Sequence, residues 1–281
     1  FYIILTRFRK SRDNLMIWFT MAYSPKIIDC MIFDNELDLL KYRLHILNDV
    51  VDHFIIVESR YTHSGIEKPL FLNENKGMFS KFRDKIIHLI LEDAPVICPH
   101  ITYQQHAQVR NKKYQRDMTD YGLDKLTLHP NDLITITDLN EIPDPSTLHQ
   151  LRNEHISIFT LGMKMYYCDL NTVSLSPLSH PWRTKAKIMS YETYKLFHLS
   201  CDDFRDLPCQ LRTKGGWHLS SFGNPSQNQL KMVPLPEDNT KVEKISIKHN
   251  DYLPPKYEIY LQRFIQESVD DSVEHEDPAK E

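Results

Sequence analysis

No stretch of this 281-residue chain approaches the roughly 20 consecutive apolar residues that a membrane-spanning helix requires. The apolar segments Phe1–Leu5 and Leu15–Phe19 are separated by the charges running from Arg7 to Asp13. A basic surplus is missing as well. The 34 Lys and Arg residues stand against 38 Asp and Glu, a formal charge of -4, which argues against a nucleic-acid partner. The five cysteines (Cys30, Cys98, Cys168, Cys201 and Cys209) include no C-x-x-C pair, so neither a zinc knuckle nor a dithiol redox motif is encoded. They read as reduced, structural thiols. The one Asn-x-Ser sequon, Asn224-Pro225-Ser226, is disqualified by its proline. Both features favour a soluble, cytoplasmic chain. The first residue is Phe1 rather than Met, and residues 1–25 read as an extension that is either not native or a clipped anchor. In the latter case a membrane-anchored Golgi or ER-lumenal form is expected. G-x-S-x-G, H-E-x-x-H and G-x-x-x-x-G-K-[ST] are all absent, which disfavours serine hydrolases, zincins and P-loop NTPases.

What is present is alternation. Lys26–Phe33 is a short apolar run that ends at Asp34-Asn35-Glu36, and it predicts a buried strand. Leu37, Leu40, Leu44 and Leu47 then recur at helical spacing, with Asp34 or Asn35 as the expected N-cap. His53–Glu58 and Ile86–Leu91 predict two further strands, and Leu133–Thr137 a fourth that runs into Asp138. Between them, Phe79–Asp84 and Gln104–Tyr121 predict helices, the second long and exposed. Pro145–Glu154 and Ile156–Tyr167 predict another helix and a long strand. Strand and helix in alternation give an α/β sheet sandwiched by helices, with Asn35, Glu36, Glu58 and Asp138 on the rim where such sheets bind ligands. From about Pro177 the pattern weakens, and irregular loops are expected around 176–181 and 224–239. Residues 26–266 read as a single domain and 267–281 as an acidic, disordered tail.

The turn Asp138-Leu-Asn140-Glu141-Ile-Pro143 offers a carboxylate, an amide oxygen and a second carboxylate at a strand end, and Pro143 and Pro145 stiffen the chain beyond them. Hard cations such as Mn2+ or Mg2+ take oxygen ligands of this kind together with substrate phosphates. On its own, a solvated Asx turn explains the pattern equally well.

Several blocks extend this turn. Ile32-Phe33-Asp34-Asn35-Glu36-Leu37, Arg43-Leu44, Asp52–Ser59, Thr62, Lys68-Pro69-Leu70, Gln115-Arg116, Asp132–Pro143, Trp182 with Lys185-Ala186-Lys187, and Gly215-Gly216-Trp217-His218 occur in one order. Together they closely resemble glycosyltransferase family 17. The resemblance implies a GT-A-like, Rossmann-related fold with an irregular acceptor-side region toward the C-terminus. It also implies a UDP-sugar donor (UDP-N-acetylglucosamine in the known activity, which modifies protein N-glycans), a glycan or glycoprotein acceptor and an inverting reaction. Asp138 and Asn140 fall on the D-x-D positions, where Asn140 departs from the pattern and lacks the second charge. Glu141 compensates in one reading, and a weakened or non-catalytic sugar-binding relic is the other. His218 is implied as a third protein ligand of the Mn2+ or Mg2+, against the alternative of a histidine packed beside Trp217.

Asn35, Glu36, Arg43, Glu58, Thr62, Arg116 and Asp138 are the expected donor-binding residues, because guanidinium forks and strand-end polar groups match a nucleotide diphosphate; Glu36, Arg43, Glu58 and Thr62 either bind the nucleotide or fix the loops that do. For Arg43 and Arg116 a surface position is the competing reading. Tyr167, Trp182 and Trp217 are candidates to stack on the acceptor sugar, against ordinary core packing. An inverting transfer needs a general base, for which Asp203 and then Glu237 are the candidates. A metal-dependent nucleotide-sugar hydrolase or phosphoesterase would use the same acidic turn and transfer to water. Acceptor, linkage and oligomeric state are not legible.

Overall fold

The computed structural model describes residues 23–93, 101–175, 185–222 and 242–265, without side chains at 101–105. Four strands, β1 (Ile27–Phe33), β2 (His53–Ser59), β3 (Ile86–Leu91) and β4 (Leu133–Ile136), run parallel in the order β4-β1-β2-β3. Their near-continuous apolar runs suit strands buried on both faces. Odd positions of β1 (Ile27, Met31, Phe33) join Phe54 and Ile56 of β2 in one apolar cluster, and Ile28, Cys30 and Ile55 join Ile134 and Ile136 in another. The sheet therefore separates two cores, in which each fully enclosed Ile or Phe contributes roughly 1.5–3 kcal/mol.

The first core is covered by α1 (Leu37–Leu47), through Leu40, Leu44 and Leu47, and by a 3-10 helix at Lys76–Phe82. The N-cap of α1 is Glu36, without a side-chain cap bond, rather than Asp34 or Asn35. The second core is covered by α4 (Thr119–Leu123), α6 (Tyr191–Phe197) and α7 (Cys201–Asp206), which supply Leu123, Tyr194 and Phe204. A four-residue helix α2 (Phe71–Glu74) follows β2, α3 (Ile101–Asp117) precedes α4, and α5 (Pro145–Arg152) begins on an Asp144 cap that accepts from Ser146 N at 2.8 Å. A layered α/β sheet between helices is thus the observed architecture. Among the described residues no helix is long and apolar enough to cross a membrane.

Past β4 the sheet turns largely antiparallel, through β5 (Glu141–Pro143), β6 (Ile158–Tyr167), β7 (Thr172–Ser174), β8 (Lys187–Ser190), β9 (Leu211–Ser220) and β10 (Val242–Lys244). A last helical turn, α8, spans Tyr257–Tyr260. The expectation of irregular structure from Pro177 onward is corrected between 185 and 222, where β8, α6, α7 and β9 are regular. The loops expected around 176–181 and 224–239 lie outside the described residues.

Only seven glycines occur in the chain, and two of them are adjacent in β9. That strand pairs with β6 in parallel and with β5 in antiparallel fashion, and both neighbours approach closely. A Cβ on Gly215 would lie 2.6 Å from Gly162 N, and one on Gly216 would lie 2.1 Å from Ile142 O. Gly216 also has φ +145°, which side-chain-bearing residues rarely adopt. The glycine pair therefore lets β9 slot between β5 and β6, and the register sets His218 opposite Glu141.

A carboxylate and cation cluster at the end of β4

The turn after β4 is held from below by Arg43, the largest fully enclosed side chain among the described residues. Asp29 sits enclosed on β1, where its charge has no water to solvate it. Arg43 answers it with two charge-assisted bonds, Nε to Oδ2 at 2.9 Å and Nη2 to Oδ1 at 2.6 Å. The same guanidinium donates through Nη1 to the carbonyls of Asp138 (2.8 Å), Leu139 (3.1 Å) and Glu141 (2.9 Å), and through Nη2 to Thr137 Oγ1 at 2.5 Å. Its nitrogens are all committed to protein. The surface reading of Arg43 is overturned, and of its two functional readings the loop-fixing one is seen: it shapes the loop that carries Asp138.

Above that loop, three cations converge on one carboxylate. Arg116 Nη2 lies 2.6 Å from Asp138 Oδ1, Lys112 Nζ 3.0 Å from Oδ2, and Arg205 Nη2 3.4 Å from Oδ2. Arg205 also grips Glu141 in bidentate fashion, at 2.7 and 3.0 Å, while Glu141 Oε2 accepts from Asp138 N at 2.7 Å. Arg116 reaches Asp202 through its other terminal nitrogen. Burial works to raise the Asp138 carboxyl, yet Arg205, Lys112 and Arg116 together hold it well below the usual carboxylate range. Glu141 is lowered too, with burial opposed mainly by Arg205. Burial lowers Lys185, whose ammonium feels Arg205, Glu141, Arg116 and Asp138. Arg116 is only 6% exposed, so its surface reading fails as well.

His63, in the loop after β2, faces the same cluster. Burial, aided by Lys112, brings its imidazole down to about 4, and it also feels Asp34 and Asp138. The ends of β1, β2 and β4 therefore converge on one rim. Asn35 contributes an enclosed side-chain oxygen, Oδ1, with no hydrogen-bond partner among the described residues, and Glu36 accepts from Asn35 N at 3.1 Å. Thr62 Oγ1 accepts from Ile66 N at 3.0 Å and pairs with Ser64 Oγ at 2.9 Å, so it braces its own loop.

Other expected residues lie apart from the cluster. Glu58 is enclosed beneath the rim, accepting from Leu72 N at 2.8 Å, Asn73 N at 3.2 Å and pairing with His88 at 2.9 Å. It caps α2, the loop-fixing form of the role expected of it. Trp217 is 2% exposed, donates to Tyr252 O at 3.1 Å and packs its ring 4.8 Å from that of Tyr252. Core packing replaces the sugar-stacking role expected of it, and Tyr167, 9% exposed, is likewise buried. Asp203, on the first turn of α7, is exposed and pairs with Lys113 at 2.5 Å; bonds from Lys113 and Ser200 lower its carboxyl. Trp182 and Glu237 lie outside the described residues. Two cavities of about 330 and 360 Å3 lie elsewhere, one near Asn131 and Arg152 and one near Asp144 and Arg212.

Asp138, Asn140 and Glu141 carry oxygens of the right hardness for Mn2+ or Mg2+, and the β5–β9 register adds His218. The set nonetheless does not fit a resident ion as it stands. Both carboxylates are matched by cations, Asn140 brings no charge, and among the described residues no group of three or more His, Cys, Asp or Glu could hold a metal.

The sequence signals for Lys112, Arg205 and His63 are faint. Lys112 sits in a polar helix, and Arg205 is hidden in the acidic string Asp202-Asp203-Phe204-Arg205-Asp206. His63 stands directly after Thr62, which the family blocks do mark.

Several known proteins are similar to this chain. The β-1,4-mannosyl-glycoprotein 4-β-N-acetylglucosaminyltransferases of Rattus norvegicus and Homo sapiens are each 31% identical over 121 residues, 42% of this chain. The matched stretch spans only 22% of either relative's length. A mannosyltransferase from Pyrobaculum calidifontis, solved in complex with GDP-Man and Mn2+, overlaps 63% of this chain and 48% of its own, at 10% identity and a TM-score of 0.36. That overlap is too partial to bear on function. The sequence profile of glycosyltransferase family 17 matches residues 7–235, a span that takes in β1, the Asp138 turn and the Gly-Gly strand. With well over half of its length inside that match, the chain belongs to glycosyltransferase family 17.

Proposed function

We propose that this protein transfers a sugar, N-acetylglucosamine, from a UDP-sugar to a glycan or glycoprotein acceptor with inversion. The supporting observation is the convergence of Arg116, Lys112 and Arg205 on Asp138 at the carboxyl end of a parallel strand. Open α/β sheets bind ligands at that edge, and guanidinium forks match phosphate oxygens. In the transfer, an acceptor hydroxyl oxygen attacks the anomeric carbon from the face opposite the diphosphate. The bond between that carbon and the phosphate oxygen breaks, and UDP leaves with the bonding pair. Cations fixed beside the leaving oxygens stabilise the charge that develops there, which is where electrostatic catalysis is strongest. A base takes the hydroxyl proton. Asp203 would need to leave Lys113 to do so, and Glu237 is the other candidate. Asn35 Oδ1 and neutral His63 are suited to the hydroxyls or N–H groups of the nucleoside and sugar. Were Mn2+ or Mg2+ to bind, Asp138, Asn140, Glu141 and His218, which lies opposite Glu141, would be the residues to hold it, and it would supply further positive charge to the diphosphate.

The test is UDP release from UDP-N-acetylglucosamine by the purified protein, with and without an N-glycan acceptor. Acceptor-dependent release is expected, and Asp138→Asn should abolish it while the protein remains folded. Equal release without acceptor identifies a hydrolase. A sugar-binding relic binds glycan and releases none.

A further inference from the structure

We infer that the diphosphate of the nucleotide binds directly to Arg116 and Lys112, backed by Arg205, and that this hold does not require a divalent metal. The inference rests on the nucleotide-sugar reading above and concerns how that ligand is gripped.

The cluster is short of acceptors. Arg116 is almost wholly enclosed, yet its Nε–H has no hydrogen-bond partner among the described residues. An orphaned guanidinium N–H is costly to bury, and such donors are normally matched by protein, water or ligand. Lys112 is 40% exposed and, among the described residues, makes a single bond, to Asp138 at 3.0 Å, so two of its ammonium protons are available toward the open side. Lys112 is therefore the open donor, Arg116 joins it by exchanging Asp202 or Asp138 for a ligand oxygen, and the group that suits both is one rich in anionic oxygens. A diphosphate is such a group, and a metal cation is its opposite.

The carboxylates are already at work as holders of cations. Glu141 fixes Arg205 in bidentate geometry, Asp138 lies between Arg116, Lys112 and Arg205, and Asp202 takes the far nitrogen of Arg116. Pairs of this kind hold the long basic side chains near their working positions, which lowers the entropy lost when a phosphate oxygen takes over one of their bonds. Asn140 follows from the same logic. Where a metal must be bound, the missing charge is a defect; where arginine carries the phosphates, an amide at that position costs nothing.

The experiment is calorimetric titration of the full chain with UDP and with uridine, first in EDTA and then in Mn2+. UDP affinity in EDTA should lie within about threefold of that in Mn2+. Arg116→Gln should weaken UDP in both buffers by about 10- to 100-fold, the usual value of one or two charge-assisted bonds, and leave uridine unchanged. Lys112→Met, at a more exposed position, should weaken UDP by about tenfold and guards against misfolding of the first variant. UDP binding seen only with Mn2+ overturns this inference and leaves the transferase proposal standing, as does normal UDP affinity in both variants. Absence of binding in either buffer, for UDP and UDP-N-acetylglucosamine alike, removes both.

Discussion

Two arginine networks meet at the end of β4, one finished and one not. Below the turn, Arg43 has a partner for each of its nitrogens: a buried carboxylate, a threonine hydroxyl and three carbonyls. Above it, Arg116 divides its terminal nitrogens between Asp138 and Asp202 and leaves Nε without an acceptor among the described residues. The chemistry of the side chain is identical in the two places. The difference is one of completeness, and on the proposed reading it separates the architecture of the turn from the part that takes a ligand. A satisfied buried cation defines a shape, whereas one with a spare donor at a sheet rim has a bond still to make.

That contrast predicts a graded set of effects. Arg43→Met should be the most damaging, because it strands Asp29 as an uncompensated buried charge and frees three carbonyls. A loss of about 3–5 kcal/mol in denaturant unfolding is expected; a loss below about 1 kcal/mol would mean the lower network is not structural.

His63 gives a smaller, pH-dependent effect. Its folded-state value of about 4 lies below the ordinary 6.5, so the unfolded chain takes up a proton first as pH falls. The contribution of His63 to stability should therefore be lost between pH 6.5 and 4 and change no further below that. His63→Gln should remove on the order of 2 kcal/mol of the wild-type loss between about pH 7 and 4.5, and identical pH profiles for the two proteins would contradict the burial of that ring.

Arg116→Gln should cost less stability than Arg43→Met, about 1–2 kcal/mol, because Asp138 keeps Lys112 and Arg205 and Asp202 is partly exposed. A cost near that of Arg43→Met would erase the distinction between the networks.

Much of the framework is legible in the chain because its signals are local. The apolar runs of β1, β2 and β4 end on polar residues, and the leucines of α1 keep helical spacing, so their bounds emerge within a residue or two. Asp138 stands out because a strand runs into it. Strand β9 escapes a reading of the sequence because Gly215-Gly216 interrupts any alternating pattern, and its reason lies in the backbones of β5 and β6 on either side. For Arg43 and Glu58 the sequence leaves ligand binding and loop fixing open together, because a charged residue near a rim looks the same whether it faces the cleft or the core. Their true partners, Asp29 and the first amides of α2, are distant in sequence or belong to main chain. Arg205 is masked by its acidic neighbours for the same reason.

The grip of Arg43 on the Asp138–Glu141 turn passes almost wholly through carbonyl oxygens, which every amino acid possesses. The loop's path is therefore insulated from the identity of the residues along it. Exchanges at position 140 can retune what the rim prefers to bind while leaving its contour untouched, so the lower arginine gives evolution a fixed mould in which the chemistry of the turn is free to drift.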